Sequence, residues 1–418
     1  MSISPDDPAR RAAERLGALS DQERLRRRRQ KARRVLFVAF LVILAALALV
    51  PIWAWLVPAF IYEGPMVQNT HDRQATLVWY MSRAVGDGLA VRLADGRTVP
   101  VECVGSRCRA VLTDLPFGAE VPYRITYGQR TLVSDALRTM RRPDQPYSFV
   151  VFGDSGKATQ AQFRLADQII AADPDFVLHT GDLIYGRGER FHYRSRFFTP
   201  YASLLRRVNF WPCVGNHDVF MPIQQSPYFE VFELPRNGPA GLTPEHEYWF
   251  DYANARVVVL DSERDERTLH DVVAPWVEQV FATGAPRWKF VVFHRPPYTA
   301  GQHPPRVAIQ RALAPSFERA GVDIVFNGHD HMYERTRPIR GGQVAADGRG
   351  VVYIVTGAGG ARLYTAFPPE QRPDYIASLH NEVHSFTLVK VAGDTLMLDQ
   401  IALGGDTLDH WVLHKGTP

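Results

Sequence analysis

Five short polar clusters, each directly following an apolar run, constrain this chain more than any other feature. They are Gly153-Asp154-Ser155-Gly156 after Tyr147–Phe152, Gly181-Asp182-Leu183-Ile184-Tyr185 after Phe176–Leu178, Gly215-Asn216-His217-Asp218 after Phe210–Val214, His294 after Lys289–Phe293, and Gly328-His329-Asp330-His331 after Val322–Phe326. Val257–Leu260 and Val351–Val355 are further runs of the same kind. Strands of nearly continuous apolar residues belong in a sheet covered on both faces. Ala158–Ala171 places Phe163, Ala166, Ile169 and Ile170 on one helical face, so the class is α/β. In open α/β sheets ligands bind beyond the carboxyl ends of the strands, where the five clusters are expected to meet. Their donors are carboxylate, carboxamide and imidazole, with one candidate phenol and no thiolate. That set suits iron, manganese or zinc rather than copper(I) or an iron–sulfur cluster.

Gly-Asp by itself says little: the chain has five such dipeptides, and only Asp154 and Asp182 follow buried strands. A glycine there lets the backbone turn sharply and bring the carboxylate close to a metal. Tyr185, three residues past Asp182, reads in isolation as an aromatic packed at a strand end. His329 and His331 differ from a lone histidine, because a spacing of two in one loop can serve two metals.

The formal charge of +4 is concentrated at the N-terminus. Residues 1–34 hold eleven Lys/Arg against five Asp/Glu, a net +6, so the chain's +4 less the tail's +6 leaves −2 for the remaining 384 residues. Nucleic-acid binding by the main body is not expected. Val35–Tyr62 is an uncharged run of 28 residues. A bilayer needs about 20 apolar residues as helix, which predicts a single transmembrane anchor rather than a cleaved signal peptide or a buried core helix. The cluster Arg26–Arg34 then puts the N-terminus in the cytoplasm and the bulk of the chain in a periplasmic or extracellular space.

The expected organisation is a basic cytoplasmic tail (1–34), an anchor (35–62), an all-β sandwich (63–142) and an α/β catalytic domain (143–418). Residues 66–140 alternate apolar and polar residues in short runs separated by Gly, Asp and Pro, as antiparallel strands do. Cys103 and Cys108 either bridge a hairpin or are two unrelated thiols, and Cys213 reads as a small buried hydrophobe.

The order GD…GDxxY…GNHD…H…GHDH resembles the calcineurin-like metallophosphoesterases and, within them, the purple acid phosphatases. Most metallophosphoesterases place a His two residues after the first Asp. Gly156 stands there, and the purple acid phosphatase pattern replaces that ligand with the Tyr of GDxxY, here Tyr185. "DLPFGAEVPYRITY" is similar to a fibronectin type III turn and strand. The resemblance implies a four-layer αββα metallophosphoesterase sandwich preceded by a fibronectin type III-like domain. It implies Fe(III) held by Asp154, Tyr185 and His331, a divalent ion (Zn, Mn or Fe) held by Asn216, His294 and His329, and Asp182 bridging both. Such a pair, about 3.5–4 Å apart, binds a phosphate ester and activates a water for in-line attack.

By the same resemblance Asn216 and His217 contact the phosphate, and His217 and His303 act in catalysis. His303 also reads as a solvated loop residue. Arg187 stands where plant-like members often have an Asp that orients the His of GNH, and it would instead approach the substrate phosphate. Glu334 and Arg335 either support the His331 loop or form a plain surface pair. The expected activity is phosphomonoester hydrolysis of the acid phosphatase type. Phosphodiester, nucleotide or pyrophosphate hydrolysis is the alternative, and a non-enzymatic surface protein is the least favoured reading.

Overall fold

The computed structural model describes residues 28–45, 57–220 and 226–416, together with positions 8, 11, 12, 17 and 26. Residues 1–59 and 60–418 form two separate compact units.

In the first unit, residues 28–45 are helical and exposed. Five of them are Arg or Lys (Arg28, Arg29, Lys31, Arg33, Arg34), and the uncharged part of this stretch is the eleven residues 35–45. At 1.5 Å per residue these cover about 16 Å, roughly half of a hydrocarbon core. Ile61 and Tyr62, expected at the end of the anchor, open a β-strand instead. Among the described residues no helix is long and apolar enough to cross a membrane. The expectation of a single-pass membrane protein with a cytoplasmic N-terminus and a periplasmic or extracellular catalytic domain is corrected accordingly. Residues 46–56, with Trp53 and Trp55, and most of the basic tail lie outside the described residues.

The second unit opens with β1 (Ile61–His71), β2 (Gln74–Met81), β3 (Leu89–Leu93), β4 (Thr98–Pro100), β5 (Glu102–Val104), β6 (Arg107–Leu112), β7 (Glu120–Tyr127) and β8 (Arg130–Arg138). β3, β4, β7 and β8 make a small antiparallel sheet in the order β4-β3-β7-β8. β5 and β6 pair across Cys103 and Cys108, which form a disulfide.

The apolar runs then become β9 (Tyr147–Phe152), β10 (Phe176–His179), β11 (Asn209–Pro212), β12 (Tyr248–Tyr252), β13 (Ala255–Val259), β14 (Trp288–Val292), β15 (Ile324–Asn327) and β16 (Tyr333–Thr336). β9, β10 and β11 are parallel and buried. They continue on one side into the C-terminal antiparallel strands Ser385–Ala392, Thr395–Ala402 and Thr407–His414, and on the other into β1, β2, β6 and β5, giving a ten-stranded sheet. A second, seven-stranded sheet holds β13, β14, β15 and Val352–Thr356 in parallel, flanked by antiparallel β12, β16 and Ile376–His380.

One hydrophobic core contains residues of both large sheets, from Phe149 and Phe176 to Phe290 and Phe326. Phe149 stacks on Phe176 at 4.8 Å and meets Phe326 edge-on at 6.2 Å. A second core lies where Ala274–Ala282 and Val307–Ala320 cover the seven-stranded sheet. The helix Gln160–Ala171 starts at Thr159, whose hydroxyl accepts from the Gln162 N–H, and buries Leu165, Ala166 and Ile169. The mixed α/β class read from the apolar runs is therefore the observed one.

Candidate metal centre

The loops after β9, β10, β11, β14 and β15 meet at one end of the two sheets. Asp154, Asp182 and His294 are buried, and one ligand atom from each lies within 4.8 Å of the others. Three residues of the polar clusters adopt left-handed backbone, Asp154 (φ 57°), Asp182 (φ 55°) and His329 (φ 68°). Such conformations persist where the surroundings hold them, and they cluster at functional sites.

Gly156 is fixed by contact. A Cβ there would lie 1.7 Å from the Leu183 carbonyl oxygen, and the Tyr185 N–H donates to the Gly156 carbonyl at 3.0 Å. No His side chain fits at position 156, because the GDxxY loop runs through that space. The same approach delivers Tyr185, whose hydroxyl donates to Asp154 Oδ1 at 3.0 Å and lies 2.6 Å from His331 Nε2. Burial, then the negative charges of Asp154 and Asp182, push the Tyr185 phenol well above its ordinary range. Gly215 is constrained similarly, since a Cβ there would meet Asp182 Oδ1 at 2.2 Å.

Backbone carbonyls set the histidine tautomers. A carbonyl only accepts, so His294 Nδ1 carries the proton it donates to Thr180 O at 2.8 Å, and His331 Nδ1 donates to Arg362 O at 2.6 Å. Their Nε2 atoms are thereby aimed inward: His294 Nε2 lies 3.1 Å from Asn216 Oδ1 and 3.5 Å from Asp182 Oδ2, and His331 Nε2 lies 3.4 Å from Asp154 Oδ1. Against the opposing effect of burial, the Asp182 charge raises His294 to about 10 and His294 holds Asp182 below the usual carboxylate range.

His329 is turned differently. Its ring meets His294 edge-on at 5.0 Å, but its Nε2 accepts from Arg295 Nη1 at 2.9 Å, and Arg295 is anchored by Glu263 at 2.7 Å. The expected ligands thus fall into two touching groups, Asp154 with Tyr185 and His331, and His294 with Asn216 and Asp182, while the His329 backbone N–H donates to Asp154 Oδ2 at 2.9 Å. The donor chemistry fits a binuclear centre: carboxylate and phenol around Asp154, amide and imidazole around His294, and Asp182 against the second set.

His217 donates its backbone N–H to Asp182 Oδ1 at 2.9 Å, and its Nδ1 lies 2.8 Å from the Gly186 carbonyl, leaving Nε2 3.9 Å from Asp182. His303 stacks on His329 at 4.2 Å, with Nδ1 3.0 Å from Asp330 Oδ1. Arg187 is exposed, with its guanidinium 4.8 Å over the Phe220 ring. Glu334 accepts from the Ala300 N–H at 2.9 Å and so holds the loop that carries His303. Arg335 makes a two-pronged bond to Asp409 at 2.7 and 3.0 Å.

Sequence reasoning assigned no role to three buried residues. Asp218 accepts from the backbone N–H groups of Leu183, Ile184 and Gly215 at 2.9–3.2 Å, tying two loops together. Asp330 accepts from His303 and from the Thr299 hydroxyl at 2.8 Å. His179 accepts from the Gly181 N–H and lies 3.0 Å from Ser155 Oγ, and burial lowers it to about 3, so it is a neutral brace. Asp218 and Asp330 stood visibly in the polar clusters and His179 just before one, but most of their partners lie on other loops. Tyr364, outside every cluster, stacks on His331 at 3.8 Å.

Residues 147–333 match the family model for the calcineurin-like phosphoesterases. Over 241 residues the chain is 31% identical to purple acid phosphatase 21 of Arabidopsis thaliana, covering 54% of each chain. It is 26% identical over 215 residues to the Fe(3+)-Zn(2+) purple acid phosphatase 12 of the same plant, covering 47% of this chain and 45% of that one. The chain spans about half the length of these curated relatives. Its fold is similar to that of the purple acid phosphatase from yellow lupin seeds, with a TM-score of 0.72, 19% identity, and coverage of 84% of this chain and 74% of that one.

Proposed function

From a chain that carries a calcineurin-like metallophosphoesterase domain, we propose a metal-dependent phosphoester hydrolase of the purple acid phosphatase type, acting on phosphomonoesters. The observation that carries this reading is the meeting of Asp154, Asp182 and His294 within 4.8 Å, beside a Tyr185 delivered by the loop that fills the space next to Gly156. Relatives that are purple acid phosphatases, one of them named for Fe(3+) and Zn(2+), support a binuclear centre of Fe(III) with a divalent ion.

Asp154, Tyr185 and His331 would hold the ferric ion, Asn216, His294 and His329 the divalent one, and Asp182 both. When bound, such a pair supplies positive charge for the phosphate oxygens and an activated water. The protein's own groups do the rest. Thr180 and Arg362 fix the tautomers that present His294 and His331. Gly186 accepts from His217 Nδ1 and so turns Nε2 towards Asp182, where the cationic ring would donate to a phosphate oxygen. Asp330 accepts from His303 Nδ1, which leaves Nε2 as the atom that would pass a proton to a leaving alkoxide. Arg187, over Phe220, is the proposed outer contact to the phosphate. We further propose that residues 63–142 are a fibronectin type III-like module and that 143–418 form a four-layer αββα domain.

Hydrolysis of an aryl phosphate by the metal-loaded chain, compared with Asp182→Ala, tests this reading. Turnover by the wild type and its loss in the variant are expected. Near-normal turnover by Asp182→Ala would refute the site assignment, and no turnover by either protein would refute the function.

A further inference from the structure

The small antiparallel sheet carries a second polar arrangement, on strands that contribute nothing to the metal centre. Its register sets Thr98 opposite Arg92, Arg92 opposite Arg124, and Arg124 opposite Ser134. One row across β4, β3, β7 and β8 therefore reads hydroxyl, guanidinium, guanidinium, hydroxyl. Val91, Leu93, Tyr123 and Ile125 are buried on the opposite face, which leaves Arg92 and Arg124 exposed on the outer one.

Like charges placed directly opposite each other weaken an antiparallel pair. Nothing nearby compensates them: among the described residues neither Arg92 nor Arg124 forms an ion pair, and Arg92 donates to the Thr98 hydroxyl at 3.5 Å. Asp95, on the adjoining turn, is taken by Arg97 at 2.7 Å. The neighbouring positions on the same face are small, Ala90 and Thr126 on one side and Ala94 and Pro122 on the other. The result is a depression of about 430 Å³ lined by Arg92, Arg124, Ser134, Ala94, Gly96 and Pro122, with no carboxylate in its wall.

We propose that this depression is an anion site, separate from the metal centre, that binds a phosphate group either free or carried on a lipid headgroup. A phosphate between the two guanidiniums would turn their mutual repulsion into charge-assisted bonds, with the Ser134 hydroxyl as a further donor. The inference does not depend on the phosphatase reading.

Titrating the full, metal-loaded chain with inorganic phosphate tests it, in an Asp182→Ala background so that the metal centre does not dominate. Phosphate should still bind that variant, and adding Arg124→Ser or Arg92→Ser should weaken binding by about ten-fold or more, the scale of one charge-assisted hydrogen bond. In the otherwise wild-type chain, Arg124→Ser should leave aryl phosphate hydrolysis unchanged. Without phosphate it should melt no lower than the wild type, and in the Asp182→Ala background phosphate should raise the melting temperature only while Arg124 is present. Cosedimentation with phosphatidylcholine vesicles, with and without phosphatidic acid, separates the sources: dependence on both Arg124 and phosphatidic acid assigns a headgroup, and soluble phosphate binding alone assigns the free anion. Phosphate affinity in the Asp182→Ala background that is unchanged by both arginine substitutions would overturn the proposal.

Discussion

At Gly156 the carbonyl oxygen of Leu183 occupies the place a side chain would need, 1.7 Å from an ideal Cβ. Gly156→Ala is therefore expected to destabilise the protein by about 3 kcal/mol or more, as severe overpacking does, and Gly156→His cannot restore a His ligand. Chemical denaturation of both variants measures this. Tyr185 was legible as more than packing only because the residue at 156 is missing a ligand, a fact in another part of the chain. Glu334 offers a pH-dependent test. Burial, then the nearby Asp330, raise its carboxyl from 4.5 to about 8, and its Oε2 has no hydrogen-bond partner. An acid with a raised folded pKa binds its proton more tightly when folded, so its contribution to stability falls as pH rises from about 4.5 towards about 8. Melting curves across that range should show this decline in the wild type and its absence in Glu334→Gln. Equal pH slopes in the two proteins would refute the assignment.

Among the elements, the β10 loop and the β11 loop are joined by Asp218, one buried carboxylate serving three backbone N–H groups. Asp218→Ala would leave those donors buried and unpaired, at about 1–3 kcal/mol for each. Metal affinity should fall by about 10–100-fold, as when groups that orient ligands are removed, and equilibrium dialysis with the metals would measure it. From the sequence, an Asp following Asn-His could face solvent, a metal or a neighbouring loop, and only the packing of two loops decides among these. Most of the strands were legible, because β9, β10, β11, β13, β14 and β15 announce themselves as apolar runs, whereas β12, half-exposed at Trp249 and Asp251, did not. The hairpin of β5 and β6 was half legible: two cysteines five apart were visible, but their facing positions depend on the register. Replacing Cys103 and Cys108 with Ser should cost about 2 kcal/mol, the loop-closure entropy of so short a ring. A matching shift in the denaturation midpoint is expected.

Across the whole second unit, the N-terminal strands are built into the larger sheet rather than standing apart. β1 pairs in parallel with β11 at Val67 and Asn209, and Met66, Val78 and Tyr80 belong to the same core as Phe149 and Phe176. The Glu63 carboxylate, buried, is gripped by Arg190 at 2.6 and 3.1 Å. A 143–418 fragment is therefore expected to aggregate or unfold at temperatures where the 60–418 chain is stable, as size-exclusion chromatography and thermal melting would show. This joint was not legible, because its partners lie 142 residues apart and the linker at Arg141–Pro143 reads as a boundary. The apolar run at 35–62 misled for a related reason: composition alone does not say that its last two residues enter a strand. The central claim is that Tyr185 completes a binuclear metal site, and metal analysis of the purified chain with its visible absorption spectrum, for wild type and Tyr185→Phe, tests it most directly. Two metal ions per chain, including iron, and a phenolate-to-Fe(III) charge-transfer band that Tyr185→Phe abolishes are the predicted results; a chain that binds no metal, or a band unchanged in Tyr185→Phe, would contradict the claim.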